Sequence, residues 1–363
     1  MSKLDINTYF KSKNFILDIN CSLNFSDGLI GLCGPSGSGK SLLLRIIAGL
    51  EEESKGKVIF NNIVFQDQSK KIFLNTSQRK AIIVFQENRL FSNLKVKDNI
   101  LFGYRRNKNK NKENIDFDDL IDRLKIRYLL SREVNDLSGG EMQRVSIARS
   151  LLADKSILLL DEPLSAQDID IKTEIISLIR DVASKLNIPI ILVSHSMDDL
   201  LRLANKTILI ESGRIKVFDD TKKVLSNFHI NNNIIDTEPS NLLECFIQNH
   251  DYNKGLTYIN LNNSLFIVPI IKAKIRSQIL VRILSKDIII SKVKPDSMSI
   301  RNILKATIIK ISIADKTFVD IVCSFGKIEI TSRITNLSFE ELNLKPNEIV
   351  YLLIKTTMIE KII

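Results

Sequence analysis

The sequence predicts an α/β fold built on a mainly parallel sheet, followed by a small all-β barrel. Three observations carry this expectation. Up to about residue 220, short Ile/Val/Leu-rich runs alternate with amphipathic stretches of helical spacing, the pattern of strands buried on both faces with helices between them. One such run and one such stretch enclose the loop Gly34-Pro35-Ser36-Gly37-Ser38-Gly39-Lys40-Ser41. Beyond residue 240 the texture changes to alternating β-forming runs separated by turns.

The runs 29–33, 81–85, 156–160 and 189–194 are the expected parallel strands. Residues 41–50 and 140–153 are expected helices, and in the second Met142, Val145, Ala148, Leu151 and Leu152 are spaced for one face. The polar stretch 231–240, which holds Pro239, reads as a linker and divides a first domain, 1–235, from a second, 236–363. In the second, 303–313, 317–324, 327–335 and 349–355 are β-rich, with turns at Ala314-Asp315-Lys316 and near Gly326. Such strands suit a small barrel, and two successive β-rich blocks are candidates for related units.

At 363 residues the chain is long enough for two cores, and 44% hydrophobic with 26% charged residues is the composition of an ordered protein. No basic N-terminal segment leads into an apolar run, so no secretory signal is expected. No stretch approaches the ~20 apolar residues that span a bilayer; 42–50 is broken by Arg45. A cytoplasmic protein is expected, with any membrane work left to a partner chain. The net charge of +10 raises nucleic acid or an anionic membrane as partners. The densest basic run, 105–112, has no interleaved aromatic residue and is followed by Glu113, Asp116, Asp118 and Asp119, which reads as a solvated loop. Cys21, Cys33, Cys245 and Cys323 form no CxxC pair and suit structural thiols in a reducing compartment.

The glycine-rich loop fits GxxxxGK[ST]. Its glycines let main-chain N–H groups converge on phosphates, and the helix starting near Lys40 adds its positive end. Lys40 is expected to reach the β- and γ-phosphates, and the Ser41 hydroxyl to bind Mg²⁺. A second element follows at 157–163, an apolar strand ending in Asp161-Glu162. The carboxyl end of a central strand is where open α/β sheets place ligands. Asp161 is expected in the Mg²⁺ shell, and Glu162 beside the γ-phosphate, orienting the attacking water.

Leu137-Ser138-Gly139-Gly140-Glu141-Met142-Gln143-Arg144 resembles the signature of ABC ATPases and stands just upstream of the carboxylate strand, as in that family. Ser138, Gly139 and Gly140 open a helix and form a second anion site. The resemblance implies a P-loop NTPase head with a helical subdomain at about 87–155, working as a homodimer. The signature of one copy closes on the ATP γ-phosphate held by the other. Gln86 is similar to the glutamine that touches metal and water, Asp168 to the aspartate at the dimer interface, and His195 to the switch histidine on the γ-phosphate. Gln167 departs from the pattern, which usually has an apolar residue there. ABC ATPases commonly stack adenine on an aromatic residue upstream of the loop. Tyr9, Phe10 and Phe15 are candidates, while the nearest aligned position holds Ser12.

The tail addresses the cargo. The segments 86–91 and 95–99 resemble the loop after the glutamine in molybdate importers, and 299–304 resembles the opening of their oligobindin-type TOBE/Mop barrel, expected at about 298–363. The resemblance implies the ATP-hydrolysing subunit of a molybdate or tungstate importer, peripheral on the cytoplasmic face of the inner membrane. Its implied partners are permease subunits and, indirectly, an extracytoplasmic oxyanion-binding protein. Ser299, Arg301, Asn302 and Lys305 are candidate oxyanion donors in the barrel, or simply shape its first strand. The alternatives are an importer of sulfate, ferric iron, polyamine or sugar, and an ABC ATPase acting on nucleic acid. The uninterrupted head and the importer-type tail argue against nucleic acid.

Overall fold

The computed structural model describes residues 2–25, 28–87, 89–104, 115–165, 167–229, 239–262 and 264–361. The basic run 105–112 and most of the expected linker 231–240 lie outside them. The chain forms two compact units, with the division in sequence falling after Val224.

The first unit runs through β1 (Lys3–Lys11), β2 (Ile16–Asn24), β3 (Ile30–Cys33), α1 (Lys40–Ala48), β4 (Lys55–Phe60), β5 (Ile63–Asp67), β6 (Ile72–Phe73), α2 (Thr76–Arg79) and β7 (Ala81–Val84). It continues through α3 (Val96–Tyr104), α4 (Phe117–Arg123), α5 (Gly139–Leu152), β8 (Ile157–Asp161), α6 (Ile169–Ser184), β9 (Ile190–Val193), α7 (Met197–Leu203), β10 (Lys206–Glu211) and β11 (Arg214–Asp220), and the division falls within α8 (Thr221–His229). One sheet has the order β11-β10-β3-β9-β8-β7. Its pairings are parallel except for β10 with β11. Every residue of β3, β8 and β9 is buried, as a strand covered on both faces requires. This is why these strands stand out in sequence as unbroken apolar runs.

A second, antiparallel sheet has the order β2-β1-β4-β5-β6. It has no counterpart among the runs expected from the sequence, because β1 and β2 bury only alternate residues and mix polar side chains with apolar ones. Leu4 and Ile6 of β1 join Leu32, Leu44, Leu159 and Val193 in one core that binds both sheets and α1. The helix α5 is wider in its buried face than its spacing suggests. Gln143, Ser146 and Ser150 are buried beside Val145, Ala148 and Leu151, and the Ser150 hydroxyl donates back to the Ser146 carbonyl at 2.8 Å.

The second unit holds β12 (Ser240–Asp251), β13 (Leu256–Leu261), β14 (Ser264–Pro269), β15 (Gln278–Leu284), β16 (Ile288–Ser291), β17 (Asn302–Ile313), β18 (Phe318–Phe325), β19 (Ile328–Thr335), α9 (Asn336–Leu342), β20 (Ile349–Ile354) and β21 (Ile359–Lys361). Two antiparallel sheets result, β14-β13-β12-β15-β21 and β16-β20-β17-β18-β19. Leu243, Ile259, Phe266 and Val281 of the first pack with Leu304, Ile308, Ile321 and Leu352 of the second in a single core. Ser240, placed in the expected linker, opens β12 and is buried.

Two asparagines tie the sheets together. Asn241 accepts from Thr331 N at 2.6 Å and donates to Thr331 O at 2.9 Å. Asn302 accepts from Ile267 N at 2.7 Å and donates to the carbonyls of Ile267 and Ile354 at 2.9 and 3.3 Å. Asn302 therefore leaves the set of expected oxyanion donors: it is buried and its amide hydrogens are spent on main chain. Ser299, Arg301 and Lys305 remain exposed.

The cysteines are free thiols. Burial is the main cause that pushes each up to about 12, which leaves them unreactive near neutral pH. Among the described residues no helix is long and apolar enough to cross a membrane.

Candidate active site

The chain turns from β3 into α1 through the glycine-rich loop. Gly34 and Gly39 have φ of +145° and +102°, outside the range that residues with a Cβ adopt readily. Space forbids a side chain as well: a Cβ on Gly34 would lie 2.0 Å from the Ile210 carbonyl oxygen, and one on Gly39 would lie 2.7 Å from Leu17 Cδ1. The turn between β10 and β11 backs the loop, Gly213 N donating to Ser38 O at 3.1 Å. The Ser38 hydroxyl is buried with no hydrogen-bond partner among the described residues. A buried orphan hydroxyl in a loop of this shape is what a phosphate oxygen would satisfy.

Lys40, the first residue of α1, donates from Nζ to the carbonyls of Gly34 and Pro35 at 2.8 and 2.7 Å. Burial pulls its pKa below the ordinary lysine value, opposed by the charges of Glu162, Cys33 and Asp161. The Ser41 hydroxyl lies beside the Asp161 carboxylate. Burial lifts the Asp161 pKa above the ordinary range, with Glu162 adding to the rise and Ser41 and Lys40 opposing it. Asp161 closes β8 rather than following it.

Glu162 lies immediately beyond, at φ +51°. Its N–H donates to Val193 O at 3.0 Å, so β9 fixes the turn. The carboxylate lies between two side chains from other strand ends. Gln86 Nε2 donates to Oε2 at 3.1 Å, and His195 Nδ1 lies 3.2 Å from Oε1. His195 follows β9 and is held by its neighbours. Ser194 Oγ accepts from Ser196 N at 3.0 Å and donates to buried Asp199 at 3.3 Å, and Lys172 of α6 pairs with Asp199 at 2.6 Å. The structure thus brings Gln86, Glu162 and His195 together from residues 109 positions apart (195 − 86).

Ser138 caps α5 in a reciprocal box. Its hydroxyl accepts from Glu141 N at 3.3 Å, and Glu141 Oε2 accepts from Ser138 N at 2.8 Å. Tyr128, absent from the sequence expectations, donates to Glu141 Oε1 at 2.8 Å. A Cβ on Gly139 would meet nothing within 4 Å. Asp168 caps α6 by position only, with no side-chain cap hydrogen bond, and is exposed.

A cavity of about 660 Å³ opens beside the loop, lined by Ser12, Phe15, Pro35, Ser36, Gly37 and Ser38 together with Glu211 and Ser212. Of the aromatic candidates, Phe15 lines it; Tyr9 and Phe10 do not. Phe15 also packs against Gly39, its Cζ 2.9 Å from where a Cβ would stand. No residue of 137–144 lines this cavity.

A model for the family described as ABC transporter matches residues 18–165, and one for the TOBE domain matches 298–359. The molybdenum import ATP-binding protein ModC of Rhizobium meliloti is 32% identical over 358 residues, 99% of either chain. The chain belongs to the ABC transporter ATP-binding family. Its Haemophilus influenzae and Escherichia coli relatives of the same name are 35% and 32% identical, over 92% and 98% of this chain and 93% and 99% of theirs. A dimeric structure of a post-hydrolysis state of an ATP-binding cassette, bound to ADP and Pi, overlays with a TM-score of 0.50 at 25% identity. That overlay covers 61% of this ABC protein and 99% of the cassette. The loop, the strand-end carboxylates and the capped signature therefore stand in an ABC ATPase that binds ATP.

The donor set fits a magnesium ion. A hydroxyl and a carboxylate, Ser41 and Asp161, are hard oxygen ligands beside the phosphate loop. Among the described residues no group of three or more His, Cys, Asp or Glu side chains is arranged to hold a metal alone. An ion here would take its remaining ligands from phosphate and water.

Proposed function

We propose that this chain is the ATP-hydrolysing subunit of a molybdate importer, with tungstate as the nearest alternative cargo. The observation that carries the enzymatic reading is Glu162, held between Gln86 and His195 at the end of the strand that also bears Asp161. The cargo rests on full-length similarity to molybdenum import proteins, tail included.

Lys40 exchanges the Gly34 and Pro35 carbonyls for the β- and γ-phosphates, and the N–H groups of residues 36–41 converge on them. Ser41 and Asp161 would hold Mg²⁺, with Gln86 contributing, and the ion would supply charge neutralisation on the phosphates. Glu162 orients the water for in-line attack, and His195 contacts the γ-phosphate as charge develops there. Adenine stacks near Phe15. A second copy of the chain presents Ser138, Gly139 and Gly140 to the same γ-phosphate, with Asp168 at the shared interface. Release of phosphate removes this bridge and opens the pair. Permease subunits couple the cycle to transport at the cytoplasmic face of the membrane.

Glu162→Gln tests the reading. It keeps the size of the side chain but removes its charge and replaces one accepting oxygen with a donating NH₂. Binding of Mg²⁺-ATP is expected to persist, turnover to fall by about 10²- to 10⁴-fold, and ATP to trap a dimer visible by size-exclusion chromatography. Hydrolysis at the wild-type rate would overturn it.

A further inference from the structure

Two glutamine amides form a relay behind Glu162. Gln167 Nε2 donates to Gln143 Oε1 at 2.6 Å and to the Gly140 carbonyl at 3.4 Å. Gln143, only 4% exposed, donates from Nε2 to the Glu162 carbonyl at 3.1 Å and to Ser165 Oγ at 3.5 Å. The Ser165 hydroxyl donates to that same carbonyl at 2.9 Å.

The direction of the relay is determined. An amide can present either its oxygen or its NH₂, and only its neighbours decide which. Here both outer contacts are main-chain carbonyls, Gly140 and Glu162, which accept and cannot donate. Gln143 must therefore turn its NH₂ toward Glu162 and its oxygen toward Gln167, which must donate.

The relay ends where the main chain is least comfortable. Glu162 is at φ +51°, a conformation disfavoured for a residue with a Cβ. Three donors on its carbonyl, Gln143 Nε2, the Ser165 hydroxyl and Ser165 N at 3.3 Å, hold that conformation, and with it the direction of its carboxylate. We propose that Gln167 is a positioning residue for ATP hydrolysis, acting through Gln143 to hold the Glu162 main chain and to tie its loop to the first turn of α5. The apolar residue that the family resemblance usually implies at this position cannot donate, so the link departs from that pattern. The inference rests on Glu162 orienting the attacking water.

ATPase assays on the full-length chain test it with Gln167→Leu, Gln167→Glu, Gln143→Leu and the Gln143→Leu/Gln167→Leu pair. Gln167→Leu is expected to lower kcat by about 10- to 100-fold, the scale of a slightly misplaced catalytic group, with KM for Mg²⁺-ATP unchanged. Gln167→Glu keeps size and polarity but can only accept. It would turn the Gln143 amide and aim its oxygen at the Glu162 carbonyl, so its kcat should fall as far as that of the leucine variant. The pair should be no slower than Gln143→Leu alone. Wild-type kcat in Gln167→Glu, multiplicative losses in the pair, or a loss confined to KM would overturn the relay. If the relay alone fails, Glu162→Gln stays stalled while Gln167→Leu runs at full rate. If the reading of Glu162 fails, Glu162→Gln itself turns over normally.

Discussion

Two glycines show how one residue type serves opposite purposes. Gly34 is required by its own chain, through a positive φ and a carbonyl oxygen 2.0 Å from any Cβ. Gly139 is not, since a Cβ there meets nothing within 4 Å. Gly34→Ala is expected to destabilise the fold by about 2–4 kcal/mol, combining overpacking with left-handed strain, as a lower urea midpoint. Gly139→Ala should leave that midpoint within about 0.5 kcal/mol of wild type while slowing turnover about tenfold or more, because in the proposed dimer the crowding falls on a second copy's nucleotide. Normal turnover in Gly139→Ala would deny that another molecule approaches this position. At this scale much of the site was legible: Lys40 beside Ser41 and Asp161 beside Glu162 are neighbours in sequence, so spacing alone exposes them. Gln143 and Tyr128 were not, because their roles depend on partners that folding brings from other segments.

Among the elements, α1 carries the phosphate loop at one end and a buried arginine at the other. Arg79 is 1% exposed. It donates from Nη1 to the carbonyls of Ile46 and Ile47 at 2.7 and 3.1 Å, and from Nε to Leu74 O at 2.7 Å. Phe73 and Phe65 pack on the guanidinium, their centroids 4.7 and 5.5 Å away. Burial alone draws its pKa down to about 10, so it stays cationic at neutral pH and complements the negative end of the helix. Arg79→Lys cannot reproduce the forked donors. It is expected to cost about 3 kcal/mol in urea unfolding and to weaken Mg²⁺-ATP binding, since α1 loses its far anchor. A lysine variant as stable as wild type would show that charge without geometry suffices. Nothing in the local sequence marks Arg79, whose acceptors in α1 lie 32 and 33 residues away. The parallel strands, by contrast, were legible because burial on both faces makes them continuous apolar runs, and the antiparallel sheet was not because its strands bury one face.

In the whole molecule, the two units keep separate cores with no residue in common. The sequence disclosed a β-rich tail but not its pairing. β21, the last strand, returns to β15, which lies 75 residues before it (359 − 284). Separate cores predict separate unfolding transitions in calorimetry. Saturating Mg²⁺-ATP, applied to Glu162→Gln so that it persists, should raise only the transition of the first unit, by about 2.7 kcal/mol at a hundredfold excess over Kd. Asn302→Ala should lower only the other, by about 1–3 kcal/mol, because half-buried Ile267 loses partners for both its N–H and its carbonyl. A single transition that both perturbations move would mean that the two cores melt as one cooperative body.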